Sequence, residues 1–283
     1  GRSATALYLL GLLSLVLVLL MGIRVHGSAR WLSLFGVRVQ PSEFAKLATV
    51  VLLARHLANP SRNLARLSSV LRAALLAVPP FVLIAMEPDL GTAAVLIPVT
   101  AAMLFAAGMT FRMLFLFLAG GLAALPASWF LMGDYQRQRL LTFVDPGRDP
   151  LGAGWNKIQS ELAVGSGGLT GKGFLEGTQN VLGFLPRTVA PTDFIFSVIA
   201  EETGFIGSAL VLALFAVVFS CGISTALTAR DRFGQILTVG LIAMLFVHVF
   251  INTAMTIGLM PITGLPLPLI SYGGSFMVST MCA

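Results

Sequence analysis

Long, nearly uninterrupted runs of apolar residues constrain this chain more than any other feature, and one of them extends over residues 205–224. A helix needs roughly 20 apolar residues to cross the hydrocarbon core of a bilayer, and only helices and closed barrels satisfy every backbone polar group in lipid. The runs are continuous rather than alternating, which favours helices over a barrel. With 57% hydrophobic and 11% charged residues, the chain lies outside the range of soluble domains. The sequence therefore predicts an all-α integral membrane helix bundle.

Eight segments of the chain are apolar enough to predict helices. They comprise residues 4–23, 44–57, 73–86, 92–107, 113–131, 194–224 and 236–257, and a last one that begins near Ile270. The segments 44–57 and 73–86 are short for a membrane crossing, so we expect them to be tilted or buried in the bundle. We interpret residues 1–283 as a single transmembrane domain. Because the sequence starts just before one helix and stops inside another, we expect helices beyond both ends.

The distribution of arginines predicts the orientation of the helices, because short loops rich in Lys and Arg stay in the cytoplasm. The basic loops carry Arg55, Arg62, Arg66 and Arg72; Arg112; and Arg230 and Arg232. If each helix crosses the membrane once, these three loops share one face, and residues 133–192 form a long loop on the other, extracytoplasmic face. Within that loop, residues 155–164 predict a short helix that lies at the membrane interface through Trp155, Ile158 and Leu162.

One outer loop breaks this rule, since Arg24, His26, Arg30 and Arg38 lie there with no acid beside them. Two interpretations are open: these residues meet an anionic ligand such as a pyrophosphate-linked lipid, or they interact with ordinary lipid headgroups. The formal net charge of +6 is spread over separate loops without a basic run. The sequence therefore predicts membrane lipids, and no nucleic acid, among the partners of the chain.

Three carboxylates, Asp193, Glu201 and Glu202, stand at the head of the apolar run that begins at residue 194. One interpretation is that Thr192 or Asp193 caps this helix, a role that contributes about 1 kcal/mol. Charge is costly in a bilayer, however, so each acid should face a partner or a water-filled cavity. On one continuous helix, Glu201 would lie about 80° around the axis from Asp193. The spacing thus predicts that these acids line one side of a cavity.

Two further acidic clusters lie near predicted helix ends. Glu43 and Lys46 are spaced i, i+3 and share a helix face, which predicts an ion pair turned toward the bundle interior because charge is costly in lipid. Glu87 and Asp89 flank Pro88 within residues 87–92. A tight turn explains the proline but not the two acids.

Two glycine-rich segments have different interpretations. Residues 261–275 hold three prolines and three glycines in an apolar setting, which predicts a re-entrant or broken segment that is buried in protein or lines a cavity. Residues 165–173 lack the glycine at position 166 and the Ser or Thr at position 173 that a Walker A phosphate loop requires. The sequence therefore excludes an NTPase of this kind.

Taken in order, these stretches resemble the SEDS family of bacterial cell-wall polymerases, and the RodA branch is favoured over the FtsW branch. The matching residues are 29–31, 40–46, 88–92, 159–160, 171–173, 192–196, 201–204 and 264–275. The resemblance implies a peptidoglycan glycosyltransferase that polymerises lipid II into glycan strands at the outer face of the bacterial cytoplasmic membrane during cell elongation. It also implies a class B penicillin-binding protein as partner. Family members have more helices than these eight, and they often have His before the Thr–Asp pair, where this chain has Pro191.

The site residues follow from this resemblance together with the polar clusters. Asp193 matches the family's essential carboxylate and is the expected general base. The expected substrate-binding residues are Arg30, Glu43, Lys46, Asp89, Arg137, Gln159, Ser160, Lys172, Thr192, Glu201, Glu202, Ser271 and Ser275. Among them, Arg30, Lys46, Arg137 and Lys172 are candidates to stabilise the departing pyrophosphate. Whether a divalent cation such as Mg²⁺ or Mn²⁺ takes part is left open.

The reaction expected of such an enzyme is a single displacement, because the donor linkage in lipid II is α and the glycan linkage is β. One carboxylate then suffices as the base. Two other classes stay open. A lipid II flippase or other transporter would place its charges near the bilayer midplane, whereas Asp193, Asp89 and Glu43 fall at the outer ends of predicted helices. A non-catalytic scaffold leaves the acidic clusters unexplained.

Overall fold

The computed structural model describes residues 2–25, 28–34, 37–60, 64, 67–150 and 152–283. The chain divides into two compact units. The first unit comprises residues 1–132, 221–247 and 281–283, and the second comprises residues 133–220 and 248–280. Each of the eight predicted apolar segments corresponds to helical structure, so the predicted all-α membrane fold class is confirmed.

Six helices lie in the amino-terminal part of the first unit. They are α1 (Arg2–Met21), α2 (Pro41–Leu57), α3 (Leu67–Ala74), α4 (Val78–Met86), α5 (Leu90–Ala106) and α6 (Phe111–Leu131). A β-carbon on Gly11 would lie 3.3 Å from the Cα of Ala45, so this glycine allows close approach of α1 to α2. Leu15, Ile84 and Leu96 are buried with Ala45 in the core that joins α1, α2, α4 and α5.

The helix predicted over residues 73–86 is in fact two helices. Helices α3 and α4 are bent by 40° at the break between them, and α3 begins earlier than expected, at Leu67. Pro79 and Pro80 stand in the first turn of α4, where the missing backbone N–H groups are tolerated, whereas the same residues inside a continuous helix would break it. The prolines therefore account for the division of this segment.

A small antiparallel sheet lies between α1 and α2, in the segment predicted as a basic loop. It is built in the order β1 (Ile23–Val25), β2 (Ser28–Leu34) and β3 (Val37–Val39). Ser33 of β2 pairs with Arg38 of β3. The alternation of apolar and polar residues along β1 and β3 is typical of strands. His26, Arg62 and Arg66 lie outside the described residues, as does the side chain of Arg24.

The segment between residues 133 and 192, predicted as a long loop with one helix, contains more helical structure than that. It holds α7 (Asp134–Val144), a short 3₁₀ helix (Pro146–Arg148), α8 (Ala153–Ser166) and α9 (Thr178–Val181). Helix α8 confirms the helix predicted over residues 155–164, and Trp155, Ile158 and Leu162 are exposed on it. Helix α7 was not predicted because its charged residues gave no apolar run.

Two long helices, α10 (Ile195–Thr228) and α11 (Arg232–Thr256), are followed by the short helix α12 (Gly274–Cys282). Among the described residues, the helices long and apolar enough to cross a membrane are Ser3–Met21, Ile195–Thr228 and Arg232–Thr256, with α3 and α4 as a bent pair that passes together. Large apolar side chains such as Leu20, Phe115 and Phe205 are exposed. A soluble protein rarely exposes so many of these, so lipid covers them and the protein is an integral membrane protein.

Candidate functional site

Helix α10 is interrupted at Gly204, and the glycine loop (residues 165–173) fills the interruption. Gly204 has φ +67 and ψ −162. The amides of Phe205 and Ile206 donate to the carbonyls of Gly168 and Leu169, at 2.8 and 3.1 Å. Backbone amides of the loop also donate to the carbonyls that precede the break, from Lys172 to Glu201 and from Gly173 to Glu202.

The glycine loop therefore satisfies the backbone groups that the break would leave unpaired within a membrane protein. Its glycines are needed for close contact, because a β-carbon on Gly171 would overlap the carbonyl of Glu202 and one on Gly167 would overlap the carbonyl of Ala200. The segment that fails the Walker A pattern thus has a structural role.

Glu201 lies at the centre of a buried polar cluster, here called the Glu201 node (Lys172, Thr178, Gln179 and Glu201). Its side chain has no exposed area. Lys172 Nζ lies 2.7 Å from Glu201 Oε1, and Thr178 Oγ1 and the Gln179 amide donate to the same oxygen at 3.1 Å. The carboxylate is thus enclosed by donors, and Lys172, expected as a cation for pyrophosphate, is paired with Glu201. The adjacent Glu202 is also buried.

Asp193 lies on a turn that precedes α10, not on the helix itself, since α10 begins at Ile195. The helical angle expected between Asp193 and Glu201 therefore does not describe their separation. Thr192 Oγ1 donates to the carbonyl of Val189 at 3.1 Å, within the same turn. The interpretation of Thr192 as a helix cap is thus wrong.

Three consecutive carbonyls fix the turn that carries Asp193. The amide of Tyr272 donates to the carbonyl of Pro191 at 2.9 Å, and the hydroxyl of Ser271 donates to the carbonyl of Thr192. Asn252 Nδ2 of α11 donates to the carbonyl of Asp193 at 2.8 Å and to that of Leu265 at 2.7 Å. The proline- and glycine-rich segment 261–275 is thus the support of the Asp193 turn.

The position that a β-carbon on Gly264 would occupy, here called the Gly264 gap, lies beside the Asp193 carboxylate. Gly264 has φ +75, and a β-carbon on it would lie 3.5 Å from Asp193 Oδ2 and 3.9 Å from the Nη1 atom of Arg139. Gly264 and its two chain neighbours aside, no further heavy atom of the described residues lies within 4 Å of that point. Arg139 Nη1 also donates to the carbonyl of Ile262 at 3.0 Å. A carboxylate and a guanidinium, both half-buried, therefore flank one space.

Neither Arg139 nor Asn252 was predicted. Arg139 stands on α7, 123 residues from its partner Ile262, and no apolar run marked that helix. Asn252 interrupts an otherwise apolar stretch of α11, and a lone amide at that position is the signal that could have identified it, since polar side chains inside a membrane helix are expected to have a partner.

The remaining predicted site residues of the second unit have contacts other than those of the Asp193 turn and the Glu201 node. Ser160 Oγ lies 2.6 Å from Ser197 Oγ and donates to the carbonyl of Thr256 at 2.8 Å, so it joins α8 to α10 and α11. Gln159 and Ser275 are buried. The Nη1 atom of Arg137 lies 3.9 Å from the exposed carboxylate of Asp134.

In the first unit, Arg30 of β2 joins the three-stranded sheet to the turn between α4 and α5. Its guanidinium donates to the backbone carbonyls of Glu87 and Pro88 and lies 3.7 Å from Asp89 Oδ1. Asp89 caps α5, because Asp89 Oδ1 accepts from the amide of Thr92 at 3.2 Å. Arg30 and Asp89, both predicted as substrate contacts, therefore also have structural roles.

Three other charged residues of the first unit are buried. Glu43 and Lys46 form the ion pair expected from their spacing, with Lys46 Nζ 3.0 Å from Glu43 Oε1 and both side chains enclosed. Glu87 is 1% exposed, and neither carboxyl oxygen has a hydrogen-bond partner among the described residues. Burial, and then the charge of Asp89, raise the pKa of Glu87 to about 8, although the charge of Arg30 opposes this.

A metal bound by the described residues would need further ligands, such as those of a substrate. Among the described residues, no group of three or more His, Cys, Asp or Glu side chains lies close enough to hold an ion. Mg²⁺ commonly binds through one or two carboxylates together with substrate phosphates, so a site of that kind is compatible with these residues.

Comparison with known proteins agrees with these features. The FTSW_RODA_SPOVE family, described as a cell cycle protein, matches residues 1–283. The peptidoglycan glycosyltransferase MrdB of Escherichia coli (strain K12) is 43% identical over 279 residues, which cover 98% of this chain and 75% of that protein. A solved structure described as "Structural coordination of polymerization and crosslinking by a peptidoglycan synthase complex" has a TM-score of 0.82 at 34% identity, covering 98% of this chain and 77% of that chain. The crystal structure of the Thermus thermophilus rod shape determining protein RodA has a TM-score of 0.69 at 31% identity, covering 98% of this chain and 74% of that chain.

The fold and the polar clusters define a multi-helix membrane protein with carboxylates at its helix ends. The chain belongs to the FTSW_RODA_SPOVE family. The resemblance found in the sequence is therefore confirmed. The predicted enzyme class is confirmed as well, because curated relatives carry the name peptidoglycan glycosyltransferase over nearly the whole length of this chain.

Proposed function

We propose that this chain polymerises lipid II into glycan strands at the outer face of the bacterial cytoplasmic membrane, with Asp193 as the general base. The observation that carries this proposal is the environment of Asp193. The turn that carries Asp193 is held by hydrogen bonds to three consecutive backbone carbonyls, and the half-buried carboxylate of Asp193 borders the Gly264 gap. A base needs a fixed position and space for the group that it deprotonates.

In the proposed step, Asp193 takes the proton from the 4-hydroxyl of the acceptor sugar. The hydroxyl oxygen forms a bond to the anomeric carbon of the donor, and the bond from that carbon to the lipid pyrophosphate breaks. The electron pair of that bond leaves with the pyrophosphate. One displacement inverts the α linkage of the donor to the β linkage of the glycan, so a second carboxylate nucleophile is not required.

The finer features of the proposal have separate support. A role in cell elongation is favoured by the similarity to the rod shape determining protein RodA. A class B penicillin-binding protein is the proposed partner, since a structural neighbour is described as a complex that coordinates polymerization and crosslinking. The distribution of arginines favours an extracytoplasmic location for residues 133–192. We propose that residues 1–283 act as one domain and that lipids surround it.

The test is glycan synthesis by purified protein in liposomes with labelled lipid II, alone and with the penicillin-binding partner. We expect a ladder of glycan strands from the unmodified protein and none from Asp193→Ala, because proton transfer contributes about 10²- to 10⁴-fold. Asp145→Ala is a matched control, since it removes an exposed carboxylate of the same unit, and it should retain activity.

Two outcomes would contradict the proposal. A ladder from Asp193→Ala at the rate of the unmodified protein would exclude Asp193 as the base. Movement of labelled lipid II across the bilayer, with no ladder even when partner and Mg²⁺ or Mn²⁺ are present, would instead identify a transporter.

A further inference from the structure

We propose that Arg139 is a catalytic residue that binds the pyrophosphate of the donor lipid beside the Gly264 gap, which Asp193 also borders. This inference rests on the proposed polymerase function and names a residue that the sequence patterns did not indicate. It assigns the cation of the reaction to Arg139 rather than to any of the four basic residues expected from the sequence.

The Gly264 gap brings the two groups to one place. Asp193 Oδ2 and Arg139 Nη1 both lie within 4 Å of the point that a β-carbon on Gly264 would occupy. The hydrogen bond from Arg139 Nη1 to the carbonyl of Ile262 holds the guanidinium there. The base and the cation would then contact opposite ends of the reacting bonds, with the acceptor hydroxyl at Asp193 and the leaving oxygen at Arg139.

The other basic side chains of residues 133–220 are engaged with acids or lie elsewhere. Four of them lie within 3.9 Å of a carboxylate, in the pairs Arg137–Asp134, Arg148–Asp145, Lys157–Glu161 and Lys172–Glu201. Arg187 is exposed, donates to the carbonyl of Val181 at 3.4 Å, and borders a surface pocket that Pro191 and Ile195 also line. Arg139 is thus the basic residue that the contacts of the Gly264 gap place beside Asp193.

The chemistry of the guanidinium suits this role. Arginine has five N–H donors in a planar fork that matches phosphate oxygens and remains charged at every physiological pH. Negative charge on the pyrophosphate increases as the bond to the anomeric carbon breaks, so a fixed cation stabilises the transition state more than the ground state. Arg139 gives up no proton, because the proton of the acceptor hydroxyl goes to Asp193.

Helix α7 is anchored in a way that fixes Arg139. At its start, the amide of Gly133 donates to Gln136 Oε1 at 3.1 Å. At its end, Lys157 of α8 donates to the carbonyl of Phe143 at 2.8 Å. A cation on an anchored helix loses little freedom when a ligand binds, which favours binding of a specific anion.

The test compares Arg139→Ala and Arg139→Lys with Arg148→Ala, which removes an exposed guanidinium of the same unit. Two quantities are measured: the rate of the glycan ladder, and the competition of farnesyl pyrophosphate and farnesyl monophosphate against labelled lipid II. Competition is measured in an Asp193→Asn background, so that binding is read without turnover.

We expect Arg139→Ala to lower the polymerisation rate about 100-fold and to weaken competition by farnesyl pyrophosphate about 10-fold more than competition by the monophosphate. Arg139→Lys keeps the charge without the fork and should recover part of both effects. If Arg139→Ala does not fold, Arg139→Lys still gives both measurements. Arg148→Ala should match the unmodified protein.

Unchanged discrimination between the two farnesyl phosphates in the Arg139 variants would overturn the inference, even if their activity were lost, because Arg139 would then only position Asp193. Failure of the polymerase proposal looks different. It would appear as full activity of Asp193→Ala, whatever the Arg139 variants do.

Discussion

Glu201 and Asp193 lie only eight positions apart in the same unit, yet their surroundings differ in kind. Glu201 is fully buried, and its carboxylate accepts from Lys172, Thr178 and the amide of Gln179. Asp193 is half-buried, its backbone carbonyl accepts from Asn252 Nδ2, and its carboxylate borders the Gly264 gap. Donors from Lys172, Thr178 and Gln179 hold the Glu201 carboxylate within the structure, whereas the Asp193 carboxylate lies beside the Gly264 gap together with the guanidinium of Arg139.

The same comparison separates two uses of glycine. In the glycine loop, Gly167 and Gly171 allow backbone to pack against backbone at the break of α10, and a side chain there would overlap main-chain atoms. At Gly264 a β-carbon would meet no atom closer than 3.5 Å. Gly167 and Gly171 are thus required for close contact between backbones, whereas Gly264, with φ +75, is required by its backbone conformation beside Asp193.

The largest expected effect on stability comes from the Glu201 node. Glu201→Gln removes a buried charge and weakens its bond to Lys172, which should lower the free energy of unfolding by about 2–3 kcal/mol, since hydrogen bonds to charged groups contribute this much. The unfolding midpoint in detergent should fall on the order of 5 °C. The residual folded protein should keep most of its polymerisation rate at a temperature well below the midpoint.

A matched comparison is Glu161→Gln, which also removes a carboxylate paired with a lysine, but one whose side chain is 42% exposed. It should shift the midpoint much less, because exposed ion pairs contribute little. If Glu201→Gln instead abolished polymerisation with an unchanged midpoint, Glu201 would belong with Asp193 in the chemistry.

A smaller effect, on rate rather than stability, is expected at Asn252. Asn252→Ala removes the donors to the carbonyls of Asp193 and Leu265, and a base displaced from its position loses rate. We expect kcat to fall about 10-fold or more with KM nearly unchanged, as measured from the formation of glycan strands.

The neighbouring Thr253→Ala is the control, because Thr253 Oγ1 donates only to Val249 within its own helix among the bonds described. It should leave kcat unaltered. A large rise in KM with constant kcat in Asn252→Ala would mean that this amide supports binding of lipid II rather than the position of the base.

A pH-dependent effect is expected at a third carboxyl, Glu87, which is buried without a hydrogen-bond partner among the described residues. Its pKa is raised by burial from 4.5 to about 8. Between these values the folded state holds a proton that the unfolded state releases, so stability falls as pH rises from 4.5 through 8. Unfolding midpoints measured over this range should decline less in Glu87→Gln than in the unmodified protein. Parallel declines in both proteins would show that Glu87 is already ionised when folded.

Much of the fold could be predicted because the apolar composition of membrane helices is enough to identify them in a sequence. The apolar runs that form α10 and α11 can be identified without knowledge of their tertiary contacts, because contact with lipid requires apolar residues. The sheet formed by Ile23–Val25, Ser28–Leu34 and Val37–Val39 could not be distinguished from a basic loop, because two of its strands have only three residues, too few for a clear pattern.

The site was predictable only in part. Asp193, Glu43 and Lys46 could be identified as candidate site residues because they are charged residues in an apolar part of the sequence. The contributions of Arg139 and Asn252 depend on contacts across 123 and 59 residues of sequence, and no local pattern encodes such a contact. For the same reason Glu201 was grouped with Asp193, although the loop that encloses it comes from residues 172–179.

The most direct test of the central claim, that Asp193 takes the proton, is the turnover number of Asp193→Asn at saturating lipid II. Asparagine keeps the size of the side chain and the backbone carbonyl that Asn252 binds, and it removes the base. We predict that kcat falls by about 10²- to 10⁴-fold while lipid II binding and the unfolding midpoint stay unchanged. A turnover number close to that of the unmodified protein would contradict the claim and assign the base to another residue.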